Sequence, residues 1–319
     1  MKFYTSISRY GNQLLFRGYD NGKKIQQKIK YEPTFFVNTT KPSGWSALDG
    51  TKVAPVKFES MRDAKEWLQV NQQTAGRHIY GNNKHIPAYI NEAFPGDIKF
   101  DRNLINVTSI DIEVQSDSGF PEPEEAAHEI TAIGMKNNID NTYYVWGLKP
   151  YDVEKTYMKD CRVVYKECAT ESQLLLEYIA HWSSPSQCPD VITGWNSRFF
   201  DIPYIVNRIL RIHGEEFAKR LSPWGLVDRR DITTMQRKQC AYEIQGIAQM
   251  DYLELFKKFG YSYGPQETYK LDHIAHVVLG ENKLSYEEHG NLHTLYKYDH
   301  QKFIDYNIKD VELVDRLEH

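Results

Sequence analysis

Over residues 1–103 apolar and polar positions alternate in short runs, 1–8, 13–19, 24–31 and 34–38, the period of two that half-buried strands show. Gly11-Asn12 and Asp20-Asn21-Gly22 separate the first three runs, so the pattern predicts a meander of hairpins. Ser60 then stands before a helical repeat over 61–72, with Ala64, Trp67 and Leu68 on one side, and reads as its N-cap. A small α+β unit is expected.

The texture changes near Asn106. Runs at 107–114, 129–135 and 142–146 are apolar enough to lie inside a sheet. Thr170 caps a helix over 171–182, in which Leu174, Leu175, Tyr178 and Ile179 recur at helical spacing. A strand over 190–196 follows, and Asp201-Ile202-Pro203 opens a helix that ends at His213-Gly214, proline being favourable in a first turn. Residues 231–250, with runs at 232–237, 240–244 and 246–250, read as a protruding hairpin. A helix over 269–279 and a last helix carrying Phe303, Tyr306, Asn307, Asp310, Val311 and Leu313 complete the pattern.

Within the first strand of this second region stands Ile110-Asp111-Ile112-Glu113-Val114. Residues i and i+2 of a strand share a face, so Asp111 and Glu113 point one way while Ile110 and Ile112 point the other. Two neighbouring acids repel unless a cation sits between them, and hard oxygen ligands suit Mg²⁺ or Mn²⁺. An acidic strand end facing water is the ordinary alternative. Asp201 in a first turn equally complements the helix dipole, and Tyr306 and Asp310, four apart on one helix face, equally form a surface pair.

The 319 residues suffice for two domains. Four cysteines without paired metal spacing argue against structural zinc and against a disulfide framework. The formal net charge of -4 excludes a uniformly basic nucleic-acid coat, though not a basic groove around an acidic centre. No apolar run approaches the ~20 residues a membrane span requires, and the first residues lack a signal-peptide core; the cytoplasm is the expected location. The 22 tyrosines and 14 phenylalanines can stack on unpaired bases, but core and edge strands use the same residues.

Taken together in this order, Asp111-x-Glu113, Asn196-xxx-Phe200-Asp201 and Tyr306-xxx-Asp310 resemble the three exonuclease motifs of proofreading DNA polymerase domains, the group with four acids and a tyrosine. Gly194-Trp195-Asn196, Phe200-Asp201-Ile202-Pro203-Tyr204-Ile205 and Tyr306-Asn307-Ile308-Lys309-Asp310-Val311-Glu312 are similar to family B polymerases, most of all those of T-even-type bacteriophages. The stretches 58–67 and 251–259 extend the similarity over nearly the whole chain.

The resemblance implies a fold of the α/β (α+β) class: a ribonuclease-H-like 3′-5′ exonuclease domain over 104–316, its mixed sheet flanked by helices, after a smaller α+β polymerase N-terminal domain over 1–103. The Ser-Leu-Tyr-Pro-Ser and Gly-Asp-Thr-Asp-Ser signatures of the polymerase domain are absent, which marks the chain as a fragment, and 317–319 reads as the remnant of a tag. Asp111, Glu113, Asp201 and Asp310 are then the expected ligands of two divalent ions, Mg²⁺ with Mn²⁺ able to substitute, and Tyr306 is expected to orient the attacking water. Phe120, Asn196, Phe200 and Lys283 are expected at the DNA, Phe120 against the frayed bases and Lys283 near the scissile phosphate. The implied partners are the 3′ end of single-stranded or primer-template DNA and the missing polymerase domains, with RNA a candidate ligand of 1–103, and the implied state is a monomer. Two other readings remain: a nucleic-acid-binding module without chemistry, and an exonuclease acting on RNA.

Overall fold

The structure, a computed structural model, describes residues 1–80, 84–115, 119–234 and 237–318. The chain forms two compact units, Met1–Arg102 and Asn103–His319.

In the first unit β1 (Lys2–Tyr10), β2 (Gln13–Asp20) and β3 (Lys23–Lys30) make an antiparallel meander. Gly11, Asn21 and Gly22 take positive φ, as two-residue hairpin turns demand. β4 (Thr34–Asn38), β5 (Trp45–Ser46), β6 (Lys52–Lys57) and, after α1 (Met61–Asn71), β7 (Ile79–Tyr80) form a second sheet in the order β5-β6-β4-β7. Ser60 Oγ accepts from the Asp63 N–H at 3.1 Å and so caps α1, as expected. Leu14, Tyr31 and Met61 form a small buried cluster, against which Ile86, Ala88 and Tyr89 of α2 (His85–Ala93) pack. β5, β6, β7 and α2 lie outside the expected runs; β5 and β7, at two residues each, are too short to show a period.

The second unit begins with β8 (Val107–Val114), β9 (Ile130–Asn137), β10 (Thr142–Gly147) and β11 (Arg162–Glu167), followed by α3 (Glu171–Trp182), β12 (Val191–Thr193), α4 (Asp201–His213) and α5 (Glu215–Lys219). Then come β13 (Val227–Thr234), β14 (Arg237–Ile244), β15 (Ala248–Gln249), α6 (Tyr252–Phe259), α7 (Leu271–Leu279), α8 (Leu292–Tyr298) and α9 (His300–Glu318). The main sheet runs β11-β10-β9-β8-β12-β15. Its centre is antiparallel (β8 with β9, β9 with β10) and its flanks are parallel (β10 with β11, β8 with β12, β12 with β15), so it is mixed.

Alternation along the strands divides the core. Ile110, Ile112, Ile133, Met135 and Trp146 face α3 and α4, burying Leu174, Tyr178, Ile205 and Ile209. Ala132, Tyr143 and Val145 face α8 and α9 with Leu295, Phe303, Ile304 and Val311. The sheet is therefore flanked by helices, an α/β architecture consistent with the expected ribonuclease-H-like fold. A third cluster joins α6, α7 and α9 through Phe256, Ile274, Leu313 and Leu317.

The hairpin differs from its expected outline. It starts earlier, at Val227, and pairs with 237–244 alone. The run at 246–250 leaves it: Ala248 and Gln249 pair with Val191 and Ile192 as the edge strand of the main sheet. Gly246, at φ +93, makes the turn between the two roles. Residues 235–236, which fall within the expected hairpin run, and His319 lie outside the described residues.

Candidate active site

On β8 the side chains opposite the Ile110–Ile112 core face are those of Asp111 and Glu113, and α9 crosses that face of the sheet. α9 brings Tyr306 and Asp310, one turn apart, over the strand, both buried rather than on the surface. Oxygen atoms of Asp111, Glu113 and Asp310 all lie within 4.8 Å of one another. Across 199 positions of sequence, the two elements thus make one acidic cluster.

Asp201 comes from the other face and lies beside this cluster, not among the three residues whose oxygens share it. β12 pairs with β8 only as far as Thr193 opposite Ser109, so the edge of β8 beyond is left to a side chain. Asp201, at the start of α4, fills that place: its Oδ1 accepts the Ile112 N–H at 3.0 Å. The turn between β12 and α4 is tight. A Cβ on Gly194 would come within 2.7 Å of the Ile110 carbonyl, and Asn196 takes φ +64. Asp251, the N-cap of α6, holds this turn by accepting the N–H groups of Asn196 at 3.2 Å and Arg198 at 2.9 Å.

Lys283 provides the counter-charge. Gly280, in the left-handed conformation, ends α7, and Asp272 Oδ1 accepts the Lys283 N–H at 2.8 Å, turning the side chain toward α9. Its ammonium pairs with Asp310 and lies 3.1 Å from the Tyr306 hydroxyl. Asn196 and Lys283 line one groove together with Trp195, Tyr269 and Lys270.

Four carboxyls against this ammonium shape the electrostatics. Burial first, then Asp310 and Glu113, push Asp111 well above the usual carboxylate range. Burial, then Asp310, raises Glu113 to about 8. Burial raises Asp201 to about 7 against the opposing Ile112 N–H bond. Burial also raises Asp310, although Lys283 pulls the other way. Burial lowers Lys283, but Asp310, Tyr306 and Asp111 outweigh it and hold it charged. Burial and Asp310 raise Tyr306, which therefore stays a neutral hydroxyl.

The cluster fits divalent metal ions. Its donors are carboxylate oxygens, the hard ligands that Mg²⁺ and Mn²⁺ take. Asp310 Oδ1 is buried without a hydrogen-bond partner, a cost that a cation would remove.

Beside Glu113 opens a cleft between Phe120 and Phe200 on one side and Leu292, His293, Tyr296 and Phe303 on the other. Phe120 is 71% exposed and stands with its ring centroid 5.0 Å from that of Phe200. Asn196 lies away from this cleft, in the Lys283 groove. Two residues of the site carry no signal by residue type alone: Asp251, which looks like an ordinary cap, and Asn307, whose Nδ2 donates to Asp111 Oδ2 at 2.8 Å. In the sequence Asn307 stands inside the Tyr306–Glu312 motif, with nothing to mark its partner.

Comparison with known proteins shows the family. The model of the family described as DNA polymerase family B, exonuclease domain, matches residues 63–274. The DNA-directed DNA polymerase of Enterobacteria phage T4 is 35% identical over 338 aligned residues, covering 99% of this chain and 37% of the relative. That of Escherichia phage RB69 is 33% identical, again over 99% of this chain and 37% of its own length. DNA polymerase 1 of Sulfolobus acidocaldarius is 29% identical over 67% of this chain. The chain thus spans little more than a third of the phage relatives' length, and the family-model match takes in Asp111, Glu113 and Asp201 but ends before Lys283, Tyr306 and Asp310. It belongs to the family B DNA polymerases, within the part that carries their exonuclease domain.

Proposed function

We propose that this chain is a proofreading 3′-5′ exodeoxyribonuclease, hydrolysing the terminal phosphodiester of single-stranded or frayed DNA and releasing nucleoside 5′-monophosphates. The observation that carries this reading is the meeting of Asp111, Glu113 and Asp310 within 4.8 Å, beside Asp201, Tyr306 and Lys283.

Asp111, Glu113, Asp201 and Asp310 would hold two divalent ions, Mg²⁺ or Mn²⁺. When bound, such ions supply Lewis-acid polarisation of the phosphate and lower the pKa of the attacking water. The Tyr306 hydroxyl, kept neutral by burial, orients that water by hydrogen bonding. Lys283 is held charged and aimed into the cluster, where it stabilises charge that develops on the phosphate oxygens. Phe120 and Phe200 wall the adjoining cleft and stack on unpaired bases, an interaction worth ~1–3 kcal/mol per base. Asn196 acts from the neighbouring groove, where the strand backbone would pass.

A mispaired end frays at lower cost than a paired one, so selection against errors needs little base readout. The β13–β14 hairpin would help to keep primer and template apart. The remaining polymerase domains deliver the DNA, the protein works as a monomer inside the infected cell, and Met1–Arg102 offers a further surface for RNA, which filter binding with that segment tests.

The deciding experiment is digestion of a 5′-labelled single-stranded oligonucleotide with Mg²⁺, with chelator, and with Asp111→Ala. A ladder shortening from the 3′ end that vanishes in both controls is expected. A ladder that persists with chelator and with Asp111→Ala would overturn the assignment, and an intact oligonucleotide would mean either that the missing domains must deliver the DNA or that the chain is a binding module.

A further inference from the structure

We infer that Asn307 is a positioning residue for the acidic centre, one that fixes the orientation of Asp111, and that Gly134 is the position that makes room for it. This rests on the reading of the centre as a metal site.

Asn307 follows Tyr306 on α9 and is fully buried. Its amide nitrogen donates twice to one residue, to Asp111 Oδ2 at 2.8 Å and to the Asp111 backbone carbonyl at 3.3 Å. A carboxylate tied in this way to a donor that also holds its own main chain is locked in one rotamer. One oxygen is committed to the amide, and the carboxylate plane is set with it. The reverse orientation of the amide would put Oδ1 against the carboxylate oxygen, acceptor on acceptor.

β9 shows the cost of this arrangement. Gly134 pairs directly with Asp111 across β8 and β9. A Cβ there would overlap Asn307 Oδ1 and stand 3.1 Å from Asn307 Cγ and 3.4 Å from Val311 Cγ2. Gly134 is not among the glycines with positive φ, so its backbone conformation would admit any residue and the space beside it is what calls for glycine. A glycine weakens a strand interior. Asn307 Oδ1, in turn, is buried without a hydrogen-bond partner. An apolar side chain would fill the same site without an unsatisfied buried oxygen. What an apolar side chain cannot supply is the pair of N–H groups on Asp111. Partners one step removed from a metal orient its ligands, and their loss typically costs about 10–100-fold in metal affinity or activity.

The test measures Mn²⁺ binding by calorimetry, thermal unfolding, and kcat and KM on single-stranded DNA. The proteins are wild type, Asn307→Leu, Asn307→Ala, Gly134→Ala and the double variant Gly134→Ala/Asn307→Ala. Asn307→Leu keeps the volume and loses the donors: Mn²⁺ binding is expected to weaken about 10–100-fold, with kcat reduced and KM for DNA little changed. Gly134→Ala is expected to lower both Tm and Mn²⁺ affinity. Adding Asn307→Ala relieves the overlap, so Tm recovers while Mn²⁺ affinity does not. Wild-type Mn²⁺ affinity in Asn307→Leu, or recovery of affinity along with Tm in the double variant, would show a packing role only and overturn the inference. Should Gly134→Ala not fold, the two single Asn307 variants decide. If the wild type itself neither binds Mn²⁺ nor cuts DNA, the metal-site reading falls and the inference with it.

Discussion

Lys283 places an ammonium against Asp310 where the carboxyls of Asp111, Glu113 and Asp310 would otherwise face one another at close range, with Asp201 beside them. Removing one partner of a buried pair leaves an uncompensated charge, at a cost of ~3–5 kcal/mol; the Lys283 side chain is 26% exposed, which reduces it. Lys283→Met is therefore expected to lower Tm in chelator, and saturating Mg²⁺ to recover part of the loss, as differential scanning fluorimetry with and without the ion would register. An equal loss under both conditions would mean that Lys283 acts by packing. At this scale the acids were legible in the sequence because a strand's period of two puts Asp111 and Glu113 on one face. Lys283 came only with the family resemblance, and Asn307 only as part of the Tyr306–Glu312 motif, its role hidden because its partner lies 196 residues away.

Among the elements, α4 does two things at once. Its first residue is Asp201, and its following turns anchor the loop that bears Phe120. The Tyr204 hydroxyl donates to the His128 carbonyl at 2.9 Å, Asn207 Nδ2 to the Pro123 carbonyl at 2.8 Å, and Arg208 and Arg211 both to the Ala126 carbonyl at 2.9 Å. Arg208 also forms a buried bidentate pair with Glu171 of α3, whose Oε1 accepts the Ile130 N–H at 2.8 Å. Arg208→Ala strands Glu171 and frees the loop. A loss of about 3–5 kcal/mol in urea unfolding is expected, along with slower digestion of frayed ends. The apolar stripe of α4 and its proline were plain in the sequence, whereas the polar stripe could not be assigned partners without knowing which loop passes over it.

α9 contributes a pH dependence through its first residue. Burial, and then Lys149, hold His300 down to about 4, against the Lys149 backbone and Asp299, which raise it. A histidine depressed in the folded state is neutral in both states above its ordinary value near ~6.5. Below that the unfolded chain binds the proton first, so stability falls with pH from about 6.5 to about 4 and then levels off. Replacing it by phenylalanine, His300→Phe, should flatten the fall of unfolding free energy with pH in that window, which at about 1.4 kcal/mol per unit amounts to at most about 3 kcal/mol. An unchanged profile would assign the acid sensitivity to other groups.

For the whole molecule, the division into Met1–Arg102 and Asn103–His319 comes with separate interiors, a small one around Leu14, Tyr31 and Met61 and three clusters in the second unit. A unit with its own core can fold alone. Residues 103–318 expressed by themselves should give a cooperative unfolding transition and retain metal-dependent digestion of single-stranded DNA. A molten product without near-ultraviolet circular dichroism would show that the first unit is needed for folding. Among the described residues no helix is long and apolar enough to cross a membrane.

By itself the sequence determined the local order: meander, capped helices, central strands, and the faces on which Asp111, Glu113, Tyr306 and Asp310 would lie. These follow from periods of 2 and 3.6, which depend on backbone geometry alone. It also carried enough family likeness to name the four acids together. Only the tertiary structure decided what hydrogen bonds and overlaps across long separations control. These are the edge strand taken from the expected hairpin run, Asp201 closing the open edge of β8, Lys283 turned onto Asp310, and Asn307 admitted to Asp111 by the space above Gly134. Each of these depends on two segments distant in sequence meeting at a particular register, and no local pattern encodes a register between segments that have not yet met.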